Sequence, residues 1–111
     1  MVTPTKTRWT APLQIAVLIA AGLFSLQSQA NEALAAKNGC LGCHAVATKL
    51  VGPAYKDVAA KYAGQADAQA MLVQSIRNGG AGKWGELPMP PHPKLSDAEL
   101  KKLATWILSA K

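Results

Sequence analysis

Residues 40–44 read Cys-Leu-Gly-Cys-His, a pentapeptide that restricts a small fold more than any other stretch of this chain. Two thiols and an imidazole in this order form the c-type haem attachment signature. Each cysteine can add across one haem vinyl group as a thioether, and Leu41 and Gly42 set the span between the two vinyls. His44, directly after the second cysteine, is then carried under the iron. A Cys-x-x-Cys pair also has other uses: a thioredoxin-like redox dithiol, half of a zinc site or a short structural disulfide. The chain has no third cysteine and only one further histidine, His92, so a four-ligand zinc site is hard to assemble. No stretch shows the two-residue period that a βαβ framework needs.

The first thirty residues have the layout of a secretory signal. Lys6 and Arg8 form a basic start, Ala11 to Leu26 is an uncharged, largely apolar run, and Ser28-Gln29-Ala30 offers small residues for cleavage after Ala30. The run carries Pro12 and Gly22 and is shorter than the roughly 20 apolar residues of a spanning helix. A cleaved leader is therefore expected, with no stable membrane insertion afterwards, and residues 31–111 form the mature domain. Trp9 belongs to the leader. Haem is attached to bacterial c-type proteins outside the cytoplasmic membrane, so leader and haem motif both point to the periplasm. An exported disulfide oxidoreductase is the alternative that shares this address.

The mature segment makes one small domain, of a size that often needs a cofactor to complete its core. Its aromatic residues are Tyr55, Tyr62, Trp84 and Trp106, too few to fill the space a haem would occupy. Lys6 and Arg8 are two of the twelve basic residues, and the six acidic ones all lie beyond residue 30. Residues 31–111 thus keep ten basic side chains against six acidic ones, formally +4. That balance favours acidic partner surfaces. The lysines are dispersed, without the basic run or aromatic-interleaved patch of a nucleic-acid binder.

Hydrophobic periodicity gives an all-α reading. Asn31–Asn38 is rich in helix formers and stops at Asn38-Gly39. Tyr55, Val58, Ala59 and Tyr62 share one face of a short helix over Ala54–Ala63. A third helix runs from Asp67 to Arg77, with Met71, Leu72, Ser75 and Ile76 on or near one face, and ends at Asn78-Gly79-Gly80. The last begins at a capping box, Ser96 with Glu99, and repeats Leu100, Leu103, Ala104 and Ile107, with Trp106 beside that stripe. Its expected partner is the N-terminal helix, where Gly39 would permit close approach. Residues 79–95, interrupted by Gly79, Gly80, Gly82, Gly85 and four prolines, show no periodicity and read as an irregular, structureless loop too long to be mere linkage.

That loop contains Leu87-Pro88-Met89-Pro90-Pro91-His92-Pro93. With His44 on one face of an iron, the thioether of Met89 suits the other and raises the reduction potential relative to all-nitrogen ligation. Flanking prolines restrict the backbone and reduce the freedom lost on placing the ligand. Met71 sits on a helical face and reads as core. His92, three residues on, is the rival sixth ligand and would give a lower potential.

Taken together, Cys40–His44, then Val51-Gly52-Pro53-Ala54-Tyr55-Lys56-Asp57-Val58, then Gly82-Lys83-Trp84-Gly85 and Pro88-Met89-Pro90-Pro91 closely resemble the small bacterial class I cytochromes c of the c-551 type. The resemblance covers residues 33–111. It implies four or so short helices around one covalent haem c, thioethers at Cys40 and Cys43, and axial ligands His44 and Met89. It further implies that the Pro53 carbonyl accepts from the other ring nitrogen of His44, that Trp84 donates to a haem propionate, and that Gly39 and Trp106 meet where the terminal helices cross. Two positions depart from the pattern. Ser75 stands where members can carry Arg or His near a propionate, and His92 stands where they can carry Asn beside the ligand sulfur, in a loop one residue longer. The expected function is a monomeric one-electron carrier, not an enzyme, serving an upstream donor and a reductase, oxidase or peroxidase with acidic docking surfaces. Lys49 and Lys83 would stand near the exposed haem edge. A haem sensor with a labile sixth ligand is the remaining alternative.

Overall fold

The computed structural model describes Val2 and residues 12–111; Lys6, Arg8, Trp9 and Ala11 of the expected leader lie outside the described residues. Helix α1 spans Pro12–Lys37, so the helix expected over Asn31–Asn38 is the end of a longer one. Nothing between Leu26 and Asn31 stops a helix: the segment after Pro12 has no further proline and one glycine, Gly22. Of its described side chains, those in the last turns join the core. Ala35 is fully buried and Leu34 packs against the core, whereas Leu23 and Leu26 are 59% and 63% exposed. Among the described residues no helix is long and apolar enough to cross a membrane.

Two devices end α1. The Asn38 side-chain amide donates to the Leu34 carbonyl at 2.8 Å, and Gly39 takes a left-handed φ of 76° while its N–H donates to the Ala36 carbonyl. This corrects the expected role of Gly39. A Cβ there would meet nothing within 4 Å, so glycine serves the backbone reversal rather than close helix approach. The reversal leads directly into a 3₁₀ turn at Cys40–Gly42.

Helix α2 spans Tyr55–Tyr62, α3 Ala68–Asn78 and α4 Asp97–Leu108. The capping box at the start of α4 is complete: the Glu99 N–H donates to Ser96 Oγ at 3.2 Å and the Ser96 N–H to Glu99 Oε2 at 2.9 Å. Helix α4 packs on all three other helices. Its stripe Leu100, Leu103, Ala104 and Ile107 is buried throughout, facing Tyr55, Val58 and Tyr62 of α2 and Leu72, Val73 and Ile76 of α3 in one cluster. Outside the cluster, Arg77 pairs with Asp97, joining the end of α3 to the start of α4. Among the described residues the β structure is one isolated antiparallel bridge, Gly80 with Met89.

Candidate haem-binding cleft

The site forms where two loops face each other across the end of the helical core. The first carries the pentapeptide. Within the 3₁₀ turn the Cys40 carbonyl accepts from the N–H groups of Cys43 and His44, and the chain then folds back so that the Gly52 N–H donates to the Cys43 carbonyl at 2.8 Å. The Tyr55 and Lys56 N–H groups donate to the carbonyls of Ala45 and Val46. These are orphan donors at the start of α2, which lacks a side-chain cap, so the helix end and the loop satisfy one another.

His44 is held on several sides. Its Nδ1 lies 2.8 Å from the Pro53 carbonyl oxygen. A carbonyl can only accept, so Nδ1 carries the proton and Nε2 keeps the lone pair a metal needs. The Tyr55 ring stacks on the imidazole at 5.1 Å between centroids, and Trp106 meets Tyr55 edge-on at 5.3 Å. Gly52 lies so near that a Cβ on it would come within 2.8 Å of Nδ1. Tyr55 and Gly52 are thus part of the site although the motif reading gave neither a role. The signal was present in their places, one just before and one two residues after Pro53.

The second loop is not structureless. Gly80 and Met89 exchange both backbone hydrogen bonds, at 3.0 and 2.8 Å, and Met89 is half-buried against the core. Gly79, at φ 64°, has no room for a Cβ because the backbone of Met89, Pro90 and Pro91 presses on it. Farther round, the Gly82 N–H donates to the Gly85 carbonyl, closing the turn that presents Trp84. Lys61 of α2 sits 4.4 Å above the Trp84 ring, and Lys83 Nζ donates to the Tyr62 hydroxyl at 2.9 Å. These contacts from α2 had no sequence signal of their own.

Between the loops lies a cleft of about 470 Å³ with a mainly apolar lining, within the range of cofactor pockets. Cys40, Cys43, His44, Pro53, Trp84 and Met89 all line it. Cys40 is half-buried and Cys43 exposed, and no disulfide joins them. Burial raises Tyr55 above its ordinary range. Two thiols at one rim, a nitrogen with a free lone pair and a thioether on the opposite loop fit a covalently held iron porphyrin. Ser75, which lines the same cleft, donates its hydroxyl to the Met71 carbonyl at 3.1 Å.

The Cytochrome c family model matches residues 29–111. The chain is 48% identical over 106 residues to cytochrome c-552 of Nitrosomonas europaea, covering 96% of this chain and 99% of that protein. It is 50% identical over 103 residues to cytochrome c-551 of Pseudomonas aeruginosa, covering 90% and 98%. The crystal structure of wild-type Nitrosomonas europaea cytochrome c552 superposes with a TM-score of 0.69 at 54% identity, covering 72% of this chain and 99% of that one. The class 1 cytochrome MtoD of Sideroxydans lithotrophicus ES-1 gives a TM-score of 0.63 at 36% identity, covering 73% and 92%. This chain belongs to the cytochrome c family, as a class I member of the c-551/c-552 type. It is accordingly an electron carrier and not an enzyme, with one covalent haem c held through the Cys-x-x-Cys-His motif.

Proposed function

We propose that the protein is a periplasmic carrier whose haem is bound through Cys40 and Cys43 and ligated axially by His44 and Met89. The bound haem supplies a one-electron ferric/ferrous couple. The protein's own residues hold it and limit its chemistry. His44 presents Nε2 because Pro53 fixes the proton on Nδ1. Met89 is tied to Gly80 by two backbone bonds, a placement that favours a filled sixth position over an open one. Trp84, which lines the cleft with its ring beneath Lys61, would donate its indole N–H to a propionate. The observation that carries this reading is the meeting of Cys40, Cys43, His44, Pro53, Trp84 and Met89 on one cleft.

Residues 1–30 act as a secretory leader cleaved after Ala30, leaving residues 31–111 as the monomeric mature domain. The exposed side chains of Leu23 and Leu26 support that reading, because this part of α1 has little to pack against. Partners are an upstream donor and a reductase, oxidase or peroxidase with acidic docking faces, met in small, weak encounters below about 1,200 Å². Lys49 and Lys83 both border the cleft, and Lys83 reaches it while tethered to Tyr62.

The test is spectroscopic. Haem should stay with the polypeptide after acid-acetone extraction, and the ferric protein should show a weak near-infrared sulfur-to-iron band that Met89→Ala abolishes. Extractable haem would sink the covalent assignment. A wild-type ferric protein without the band would move the sixth ligand to His92 or leave the site open.

A further inference from the structure

Met89 is followed by Pro90-Pro91-His92-Pro93, so in this stretch only Met89 and His92 own a backbone N–H. Both are spent on the same target. Met89 pairs with Gly80, just past the end of α3, while the His92 N–H is shared between the carbonyls of Ile76 and Arg77, at 3.2 and 3.1 Å, in the last turn of α3. The imidazole joins it: His92 Nδ1 lies 3.3 Å from the Ile76 carbonyl. A carbonyl cannot donate, so Nδ1 is the donor. Residues 89–92 are thereby strapped antiparallel against residues 76–80 at both ends, with two prolines between the ties. The carbonyls used are among those that every helix leaves without an intrahelical partner at its C-terminus.

We infer that His92 is a positioning residue for the sixth ligand: by closing the end of α3 with both its backbone and its ring, it holds Met89 over the cleft and disfavours its replacement by outside ligands. This deepens the assignment of Met89 as ligand and rests on it. His92 is three residues from Met89 and, through this strap, acts on it without touching iron. His92 itself lines the cleft with Nε2 free, so the near-infrared sulfur-to-iron band, which a histidine sixth ligand would lack, separates this role from that of a rival ligand.

The test uses the ferric holoprotein and free imidazole as the competing ligand, titrated at fixed pH and followed in the visible haem spectrum. His92→Ala should bind imidazole about five-fold more tightly than wild type, the effect of one net hydrogen bond lost from the Met89-ligated state. His92→Asn, whose amide N–H can reach the same carbonyl, should return to within about two-fold of wild type. A merely structural histidine would lower the melting midpoint and leave imidazole affinity unchanged. Equal affinity in wild type and His92→Ala overturns the inference, as does a His92→Asn variant that recovers nothing. Amide exchange of the wild type gives a reading without any variant. The Met89 and His92 N–H groups should be protected together, and a His92 amide exchanging as a free one overturns the strap. The near-infrared band of the wild type is recorded first. Its absence refutes the Met89 assignment itself, whereas its presence with unchanged imidazole binding refutes only the role of His92.

Discussion

Gly52→Ala is the substitution with the most calculable effect. The residue lies outside the left-handed region, so alanine keeps the backbone, and the effect isolates the space beside His44. A Cβ would stand 2.8 Å from Nδ1 and 2.9 Å from Nε2, with Cε1 nearer still, where ordinary contact begins about half an ångström farther out. The imidazole must move. Pro53 holds Nδ1 at 2.8 Å and Tyr55 stacks on the ring, so any shift loosens at least one of them. Overpacking of this kind costs roughly 1–3 kcal/mol, and a weakened hydrogen bond adds about 1 kcal/mol. The sum, about 2–4 kcal/mol, lowers the melting midpoint of a domain this small by roughly 10–25 °C. Calorimetry or visible-absorbance melts of the ferric holoprotein read it. Gly42→Ala, two residues before His44 and with nothing within 4 Å of its Cβ, is the control and should stay within about 3 °C of wild type, as neutral substitutions do. A Gly52→Ala midpoint equally close to wild type, or an equal fall in both variants, would refute the reasoning.

Two smaller perturbations test the supports around the site. Tyr62→Phe removes the acceptor of the Lys83 ammonium while keeping the buried ring; the midpoint should fall by roughly 3–8 °C, and a fall below 1 °C would show the contact to be idle. Ser96→Ala opens the capping box and should lower the midpoint by roughly 4–8 °C. Hydrogen bonds from the Ser96 N–H and hydroxyl hold the Glu99 carboxyl below its ordinary range. A lowered folded-state pKa contributes stability that is present above the ordinary carboxylate range and lost as pH falls through the lowered value. The gap between wild type and Ser96→Ala should therefore narrow in acid, and NMR titration should show Glu99 returning towards its usual range in the variant.

The helices were legible because their signals are local. The Ser96–Glu99 box and the stripe Leu100, Leu103, Ala104 and Ile107 fix where α4 begins and which face it buries, and the structure keeps both. The start of α1 was not legible as a fold boundary. The segment expected to be a leader is rich in Ala and Leu and has the same propensity as the residues that follow, so local chemistry gives no reason to stop at Asn31. Gly39 was read as a contact because its sequence does not show whether a glycine is needed for space or for φ; the 76° angle decides for φ. The loop over 79–95 was read as irregular because a bridge such as Gly80–Met89 joins residues nine apart and leaves no periodic trace. What could have been read is the scarcity of donors after Met89, since prolines announce which N–H groups are missing.

The loops that carry His44 and Met89 are secured by different parts of the molecule yet by one kind of bond. The His44 loop is stitched by Gly52 to Cys43 and by Tyr55 and Lys56 to Ala45 and Val46, and the Met89 loop by Gly80 and by His92 to the end of α3. All of these ties use main-chain groups, with the rings of His44 and His92 adding their own donors to carbonyls. Main-chain ties place few demands on which side chains occupy a loop, but they bring backbones close. The demand shifts to places where a side chain cannot be present: Gly52 against the imidazole and Gly79 against Met89-Pro90-Pro91. The proposed axial pair therefore depends as much on two absent Cβ atoms as on His44 and Met89 themselves. Ser75 and His92 leave these main-chain ties in place, and His92 adds its ring to one of them, so His44 and Met89 still reach the same cleft.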